Sequence, residues 1–375
     1  MQKFSFLGIN EIGSIEELYS RYLKDPSLVE TSWQKFFEGF EFARQNVVTG
    51  EFFSEVVDKE FRVINLINGY RSRGHFFTIT NPVRTRRTYF PTLDIENFGL
   101  TEKDLDTVFQ AGKEIGIGPS SLRDIVNHLK DTYCRSVGVE FLYIREVEVV
   151  KWLQERMEIS KNSTEFSDQE RKRIYNQLVA ASGFERFIHK KFIGQKSFSL
   201  EGTETLIPAL DSIIEKGSEL GIVEFIIGMS HRGRLNVLAN FLKKPCENIF
   251  KEFYGSEYEE GIVFGDVKYH LGYNNEIITG GGRKVNLSLV PNPSHLEAVG
   301  AVAQGIAHSR IMNKYHGDFN SCAVISIHGD AAIAAQGIVY EVIQMSQLEG
   351  YKSGGTIHIV INNQIGFTTN YLDGR

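Results

Sequence analysis

Apolar positions along this chain keep two different periods. Up to Gly202 they recur mostly at helical spacing; beyond it, short continuous runs rich in Val and Ile alternate with helical stretches. Two helices are expected over residues 14–42, with capping-box patterns at Ser14–Glu17 and Ser27–Glu30 and a break at Asp25-Pro26. The second carries Val29, Trp33, Phe36, Phe37 and Phe40 on neighbouring turns. So much aromatic surface on a short arm either packs on the chain's own body or docks another subunit. Asn46 to Gly50 reads as a linker, and Ser54 to Gly69 as an amphipathic helix (Val56, Phe61, Ile64, Ile67). Further helices are predicted over Thr101–Phe109 and Pro119–Tyr133, and a strand over Val137–Ile144. Glu158 to Phe166 reads as a polar surface crossing, after which Ser167–Glu170 caps a long helix to about Lys191.

From Gly202 the pattern becomes that of an α/β domain. A helix over Glu204–Gly217 leads to the strand Ile222–Ile227, the loop Gly228-Met-Ser-His231-Arg232-Gly233-Arg234, and a helix through Leu242. A glycine turn (Gly280–Gly282), a strand (Val285–Val290) and a capping box at Ser294–Glu297 follow, with a helix running on through His308. The last part reads strand, helix, strand: Ser321 to Gly329, a helix over Ala335–Leu348, and Thr356 to Ile361. A βαβ crossover is right-handed, so both strands end on one side of a parallel sheet, where open α/β sheets bind ligands. Asp330 then stands past one strand end and Asn363 past the next, with the backbone carbonyl of Ile365 two residues on. All three offer oxygen, the donor Mg²⁺ takes together with phosphates and water. Ala331 and Ala332, beside Gly329, leave room for a diphosphate near the backbone. An ordinary strand end capped by Asp, with Asn-Asn making a turn, explains the same residues without a ligand.

Composition narrows the class. The 375 residues allow two or three domains, and 42% hydrophobic with 23% charged residues describes a soluble globular protein. A formal net charge of −6 argues against a nucleic-acid binder, and no apolar run reaches membrane-spanning length. Cys134, Cys246 and Cys322 are odd in number and far apart, giving neither a disulfide framework nor zinc spacing. With no signal or transit pattern at the N-terminus, the expected location is a bacterial cytoplasm.

Three basic clusters compete for anionic ligands. Arg84 to Arg87 reads as a solvated face, while Arg71 and Arg73 beside Gly74-His75 suit carboxylate recognition. His231, Arg232 and Arg234, at a strand's C-terminal end, read as an anion site.

These residues carry a resemblance. Gly329-Asp330 followed about thirty residues later by Asn362-Asn363 is similar to the thiamine diphosphate motif of transketolase-like enzymes. The wider text resembles the decarboxylating component of the 2-oxoglutarate dehydrogenase complex: His-Gly-Asp-Ala-Ala-Ile-Ala-Ala-Gln-Gly and Asn-Asn-Gln-Ile-Gly-Phe-Thr-Thr, from about Phe4 to Arg375. Ala331 stands where many thiamine enzymes have a second Gly, a variation common in this family. The resemblance implies a helical N-terminal arm (1–50) that holds partners, a mostly helical region (51–200), and a parallel-sheet thiamine diphosphate and Mg²⁺ domain (201–375). It implies Asp330, Asn363 and Ile365 as metal ligands. Arg232, Ser294, Leu296, Ala331 and Ala332 become cofactor contacts, His231 and His270 catalytic groups, and Arg71, Arg73 and His75 substrate contacts. His270 enters only through Asp-Val-Lys-Tyr-His; taken alone, a histidine is more often structural. Imidazoles titrating near neutrality suit a dicarboxylic 2-oxo acid, whose second carboxylate they can hold.

The implied activity is oxidative decarboxylation of 2-oxoglutarate with succinyl transfer to a lipoyl group. The implied partners are the dihydrolipoamide succinyltransferase and the dihydrolipoyl dehydrogenase, and the implied state is a homodimer. The family's pyrimidine-activating glutamate would lie beyond Arg375, so an incomplete subunit, inactive alone, is expected. Two alternatives stay open: a relative acting on 2-oxoadipate, and a non-catalytic fragment that binds the acyltransferase.

Overall fold

The computed structural model describes residues 18–46, 50–81, 92–195, 197–254, 268–364 and 366. It divides into two compact units, Met1–Glu165 and Phe166–Arg375. The Ser14–Glu17 cap, the Arg84–Arg87 cluster and Ile365 lie outside the described residues.

The first unit is built from helices α1 (Thr31–Asn46), α2 (Gly50–Arg73), α3 (Leu122–Tyr133) and α4 (Val147–Ser160). Helix α3 starts three residues after the expected Pro119, capped by Ser121, whose hydroxyl accepts from the Asp124 N–H at 3.1 Å. It buries Leu122, Ile125 and Leu129 with Val63, Leu66 and Ile67 of α2. On the arm, Phe37 is buried between Tyr19, Tyr22 and Trp33, so part of the aromatic stripe packs on the chain itself. Phe36 and Phe40 stay partly in solvent.

Several expectations fail here for local reasons. Ser27–Glu30 does not open α1; Asp25 instead caps a 3₁₀ turn over Pro26–Leu28. The Thr101/Asp104 capping box forms, yet only a 3₁₀ turn over Glu102–Asp104 follows before the short strand Val108–Phe109. Residues 137–144 form no strand. Helix α4 was not foreseen, and its Glu158, expected on a surface crossing, is only 3% exposed. A carboxylate tolerates such burial when paired. Arg71 grips Glu158 through Nε and Nη2 (2.8 and 3.0 Å), and the Tyr133 hydroxyl donates at 2.7 Å.

The second unit carries α5 (Asp168–Lys191), α6 (Leu206–Glu219), α7 (Cys246–Tyr254), α8 (Ala298–Asn313), α9 (Asp330–Ala335) and α10 (Ile338–Met345). Its five strands are β1 (Glu224–Met229), β2 (Tyr273–Ile278), β3 (Lys284–Leu289), β4 (Cys322–Gly329) and β5 (Thr356–Ile361), in sheet order β2-β3-β1-β4-β5. Strands β3, β1, β4 and β5 are parallel, and β2 is an antiparallel edge. Helix α5 opens with the predicted Ser167/Glu170 capping box. Its Ala181, Phe184 and Ile188 join the core on one sheet face, with Phe225, Ile227, Ile325 and Ile327. On the other face Ile226, Cys322 and Val324 pack against Val299, Ala303, Ala307 and Ile311 of α8. Successive residues of β4 face opposite sides of the sheet and both faces are covered, which is why Cys322–Ile325 reads as a continuous apolar run.

The expected helix over Ala335–Leu348 is broken. Gly337 sits at φ 76°, a left-handed conformation that ends α9 and restarts the chain as α10. Burial pushes the thiol of Cys134 up to about 11 and that of Cys322 up to about 12, so neither is poised as a nucleophile.

Candidate functional site

Parallel register brings the C-terminal ends of β3, β1, β4 and β5 to one sheet edge. Met229 pairs with Ile327, and Gly329 with Ile361, so Ser230–Gly233, Asp330 and Asn362–Asn363 leave neighbouring strand tips. The turn after β3 carries Ser294 and Leu296 to the same edge, and residues 268–272 precede β2 there. Eight sequence-predicted residues therefore share one edge with His270: His231, Arg232, Ser294, Leu296, Asp330, Ala331, Ala332 and Asn363.

The histidines are placed by aromatic packing and backbone pins. His231 stacks on Phe198 (centroids 5.1 Å apart), and its ring lies 5.2 Å from that of His270. His270 Nε2 is 3.3 Å from the Ser294 hydroxyl. The Phe198 N–H donates to the Tyr269 hydroxyl (3.2 Å), and the Gly233 N–H donates to the Phe198 carbonyl (2.9 Å). Arg232, half-buried, donates to the Ser199 carbonyl at 3.2 Å.

Arg234 departs from the expected anion cluster. It is fully buried, and its guanidinium donates to the carbonyls of Met229, Leu271 and Val290. It clamps the ends of β1 and β3 and the segment before β2, so it shapes the edge rather than binding a ligand. The expected Ser294–Glu297 capping box also fails. Glu297, at φ 68°, is the cap residue of α8, and its carboxylate turns to His328.

Gly233, at φ 75°, is the hinge of the His231 loop, and a Cβ there would lie 2.5 Å from Leu200 Cδ1. Gly233→Ala therefore adds about 1–2 kcal/mol of left-handed strain before any clash is counted. The expected outcome is a lower midpoint in thermal unfolding followed by near-ultraviolet dichroism. An unchanged midpoint would mean that the loop adapts freely.

Asp330, a half-buried carboxylate, and Asn363, an exposed amide, stand at adjacent tips and offer oxygen, the donor type that suits Mg²⁺. The neighbouring Asn362 is used differently, its side chain accepting from the Gln364 N–H (2.9 Å) to shape the turn. Ala331 and Ala332 occupy the first turn of α9, where small side chains keep the backbone open. Arg71, Arg73 and His75 belong to the first unit, where Arg71 is engaged with Glu158 and His75 lies 3.5 Å from Glu140.

Sequence reasoning passed over one set of residues. Glu297, His328 and His358 form a hydrogen-bonded line: His328 Nδ1 to Glu297 Oε2, and His328 Nε2 to His358 Nδ1 at 2.9 Å. The available signal was a histidine inside each of two apolar strand runs, Ile327-His328 and Ile357-His358-Ile359.

Comparison with known proteins bears on this edge. The 2-oxoglutarate dehydrogenase N-terminus model matches residues 5–44. The 2-oxoglutarate dehydrogenase E1 component of Azotobacter vinelandii is 40% identical over 389 residues, covering 96% of this chain and 41% of its own length. The multifunctional 2-oxoglutarate metabolism enzyme of Mycolicibacterium vanbaalenii is 46% identical over 328 residues, 85% of this chain and 26% of that protein. A 2-oxoglutarate dehydrogenase of Dictyostelium discoideum, named mitochondrial, is 36% identical over 401 residues, 98% of this chain and 39% of its own length. The chain thus spans between about a quarter and two fifths of these curated relatives. The dehydrogenase E1 component model matches residues 176–375, from within α5 across the whole sheet and the edge where its parallel strands end, and the chain belongs to that family.

Proposed function

We propose that this edge holds thiamine diphosphate with Mg²⁺, and that the protein decarboxylates 2-oxoglutarate oxidatively, passing the succinyl unit to a lipoyl group. The observation that carries the reading is the β4–β5 register, which sets Asp330 and Asn363 side by side at the edge shared with His231, His270 and Ser294. Asp330 and Asn363, with the Ile365 carbonyl, would hold the metal; Arg232, Ser294, Leu296, Ala331 and Ala332 would line the cofactor. When bound, thiamine diphosphate supplies a carbon nucleophile and an electron sink for loss of carbon dioxide from a 2-oxo acid. The chain's own part is orientation and charge. Phe198 fixes the plane of His231, and the Ser294 hydroxyl fixes that of His270. Held 5.2 Å apart, the two imidazoles can donate to a substrate carboxylate or move a proton at their ring nitrogens.

Arg71, Arg73 and His75 are retained as proposed substrate contacts in the first unit, Arg71 alongside its ion pair with Glu158. The dihydrolipoamide succinyltransferase and the dihydrolipoyl dehydrogenase are the proposed partners, with the arm as their docking segment, and a homodimer is the proposed state. A cytoplasmic location belongs to the same proposal. The test is carbon dioxide release by the complete subunit that carries this chain, with thiamine diphosphate and Mg²⁺, from 2-oxoglutarate and from 2-oxoadipate. Faster release from 2-oxoglutarate is expected. Faster release from 2-oxoadipate moves the substrate to the longer acid, and release from neither ends the catalytic reading.

A further inference from the structure

The Glu297–His328–His358 line lies beside the proposed metal edge and has no part in the chemistry assigned so far. Each member sits on a different segment leading to that edge. Glu297 ends the turn that carries Ser294 and Leu296; His328 comes two residues before Asp330 on β4; His358 is on β5, five residues before Asn363. Burial is deep at the centre: Glu297 is 7% and His328 2% exposed. The contacts form one chain, Glu297 Oε2 to His328 Nδ1 and His328 Nε2 to His358 Nδ1 (2.9 Å), with the two rings near parallel at 5.1 Å.

Two further features mark the arrangement as selected geometry. Glu297 holds a left-handed backbone (φ 68°), which a non-glycine residue adopts only at a cost. That conformation turns its carboxylate away from the helix N-terminus it would otherwise cap and toward the sheet. On His328, one ring nitrogen faces the buried carboxylate of Glu297, which leaves Nε2 to engage His358. A bridge through both ring nitrogens leaves His328 no rotational freedom.

We propose that Glu297 is a positioning residue for the metal and diphosphate edge. Acting through His328, it ties the Ser294–Leu296 turn to the end of β4 and to the middle of β5, and so holds the spacing of the two strands that carry Asp330 and Asn363. The inference rests on the reading under Proposed function. It concerns residues that do not touch the metal or the cofactor, comparable to the outer-shell partners that hold metal ligands in place.

The test is titration of the intact protein with thiamine diphosphate at saturating Mg²⁺, read by calorimetry, with the unfolding midpoint measured on each variant. Glu297→Gln keeps an acceptor for His328 Nδ1 and should weaken binding little. Glu297→Gly relieves the left-handed strain while removing the acceptor, and should raise the Kd on the order of tenfold, the scale of losing an outer-shell partner. If Glu297 acts through His328, the double variant Glu297→Gly/His328→Gln binds no more weakly than His328→Gln alone. A Glu297→Gly protein with a lower midpoint and an unchanged Kd makes the residue structural only and overturns the proposal. Additive losses in the double variant overturn it too. If the wild type takes up no thiamine diphosphate, the functional reading itself falls, a result distinct from a wild type that binds and a Glu297→Gly variant that binds equally.

Discussion

Asp330→Ala should raise the Kd for thiamine diphosphate, measured by calorimetric titration with saturating Mg²⁺, by more than the roughly 10- to 100-fold that loss of an outer-shell partner costs. The reason is charge. Among the proposed ligands Asp330 alone is a carboxylate; Asn363 and the Ile365 carbonyl are neutral dipoles. Mg²⁺ sheds its water reluctantly and needs one or two anionic protein ligands besides the phosphates it bridges. Without Asp330, the protein would offer Mg²⁺ no anionic ligand, and the diphosphate would lose the cation that offsets its own charge. Asn363→Ala should weaken binding less, because an amide oxygen is replaced more readily by water. Asn362→Ala serves as a control, since that side chain is spent on the turn to Gln364. Equal binding by wild type and Asp330→Ala would show that the metal sits elsewhere.

Glu158→Ala should cost the first unit about 3–5 kcal/mol, the scale for breaking a buried ion pair on one side. Arg71 keeps its hydrogen bonds to Asn68 and the Glu114 carbonyl but loses the carboxylate that balances its charge, and the buried Tyr133 hydroxyl loses its acceptor. Replacing both charges, as in Arg71→Met/Glu158→Leu, should recover most of the loss, because two desolvation penalties disappear with the attraction. Urea unfolding of the three proteins measures this directly. The same double variant bears on Arg71 as a substrate contact. If it folds and releases carbon dioxide from 2-oxoglutarate with an unchanged KM, Arg71 belongs to the scaffold. If folding is intact and KM rises sharply, the guanidinium serves a substrate carboxylate as well.

Particular elements show what could be read without coordinates. Helix α5 begins at the predicted capping box, since Ser167 and Glu170 satisfy two backbone donors within one turn and need nothing distant. Strands β1, β4 and β5 follow from their apolar runs, and the parallel direction of strands joined by a crossover put Asp330 and Asn363 at one edge. Local text misled where a local motif had a distant competitor. The Thr101 box formed without a helix behind it, and Glu297 was drawn from its capping pattern by a histidine on β4. Glu158 looked solvated because its partner is 87 residues away in sequence.

The sequence by itself determined that this chain builds a parallel α/β sheet with an oxygen-bearing edge, because strand period, crossover hand and cap chemistry are short-range properties. Tertiary structure alone decided which polar groups are spent on the fold and which face the edge. Arg234, fully buried, was turned to three backbone carbonyls, Arg71 was given to Glu158, and His328 was strung between Glu297 and His358. A buried charge must be matched by whichever partner the packing brings within reach, and no sequence spacing records that choice.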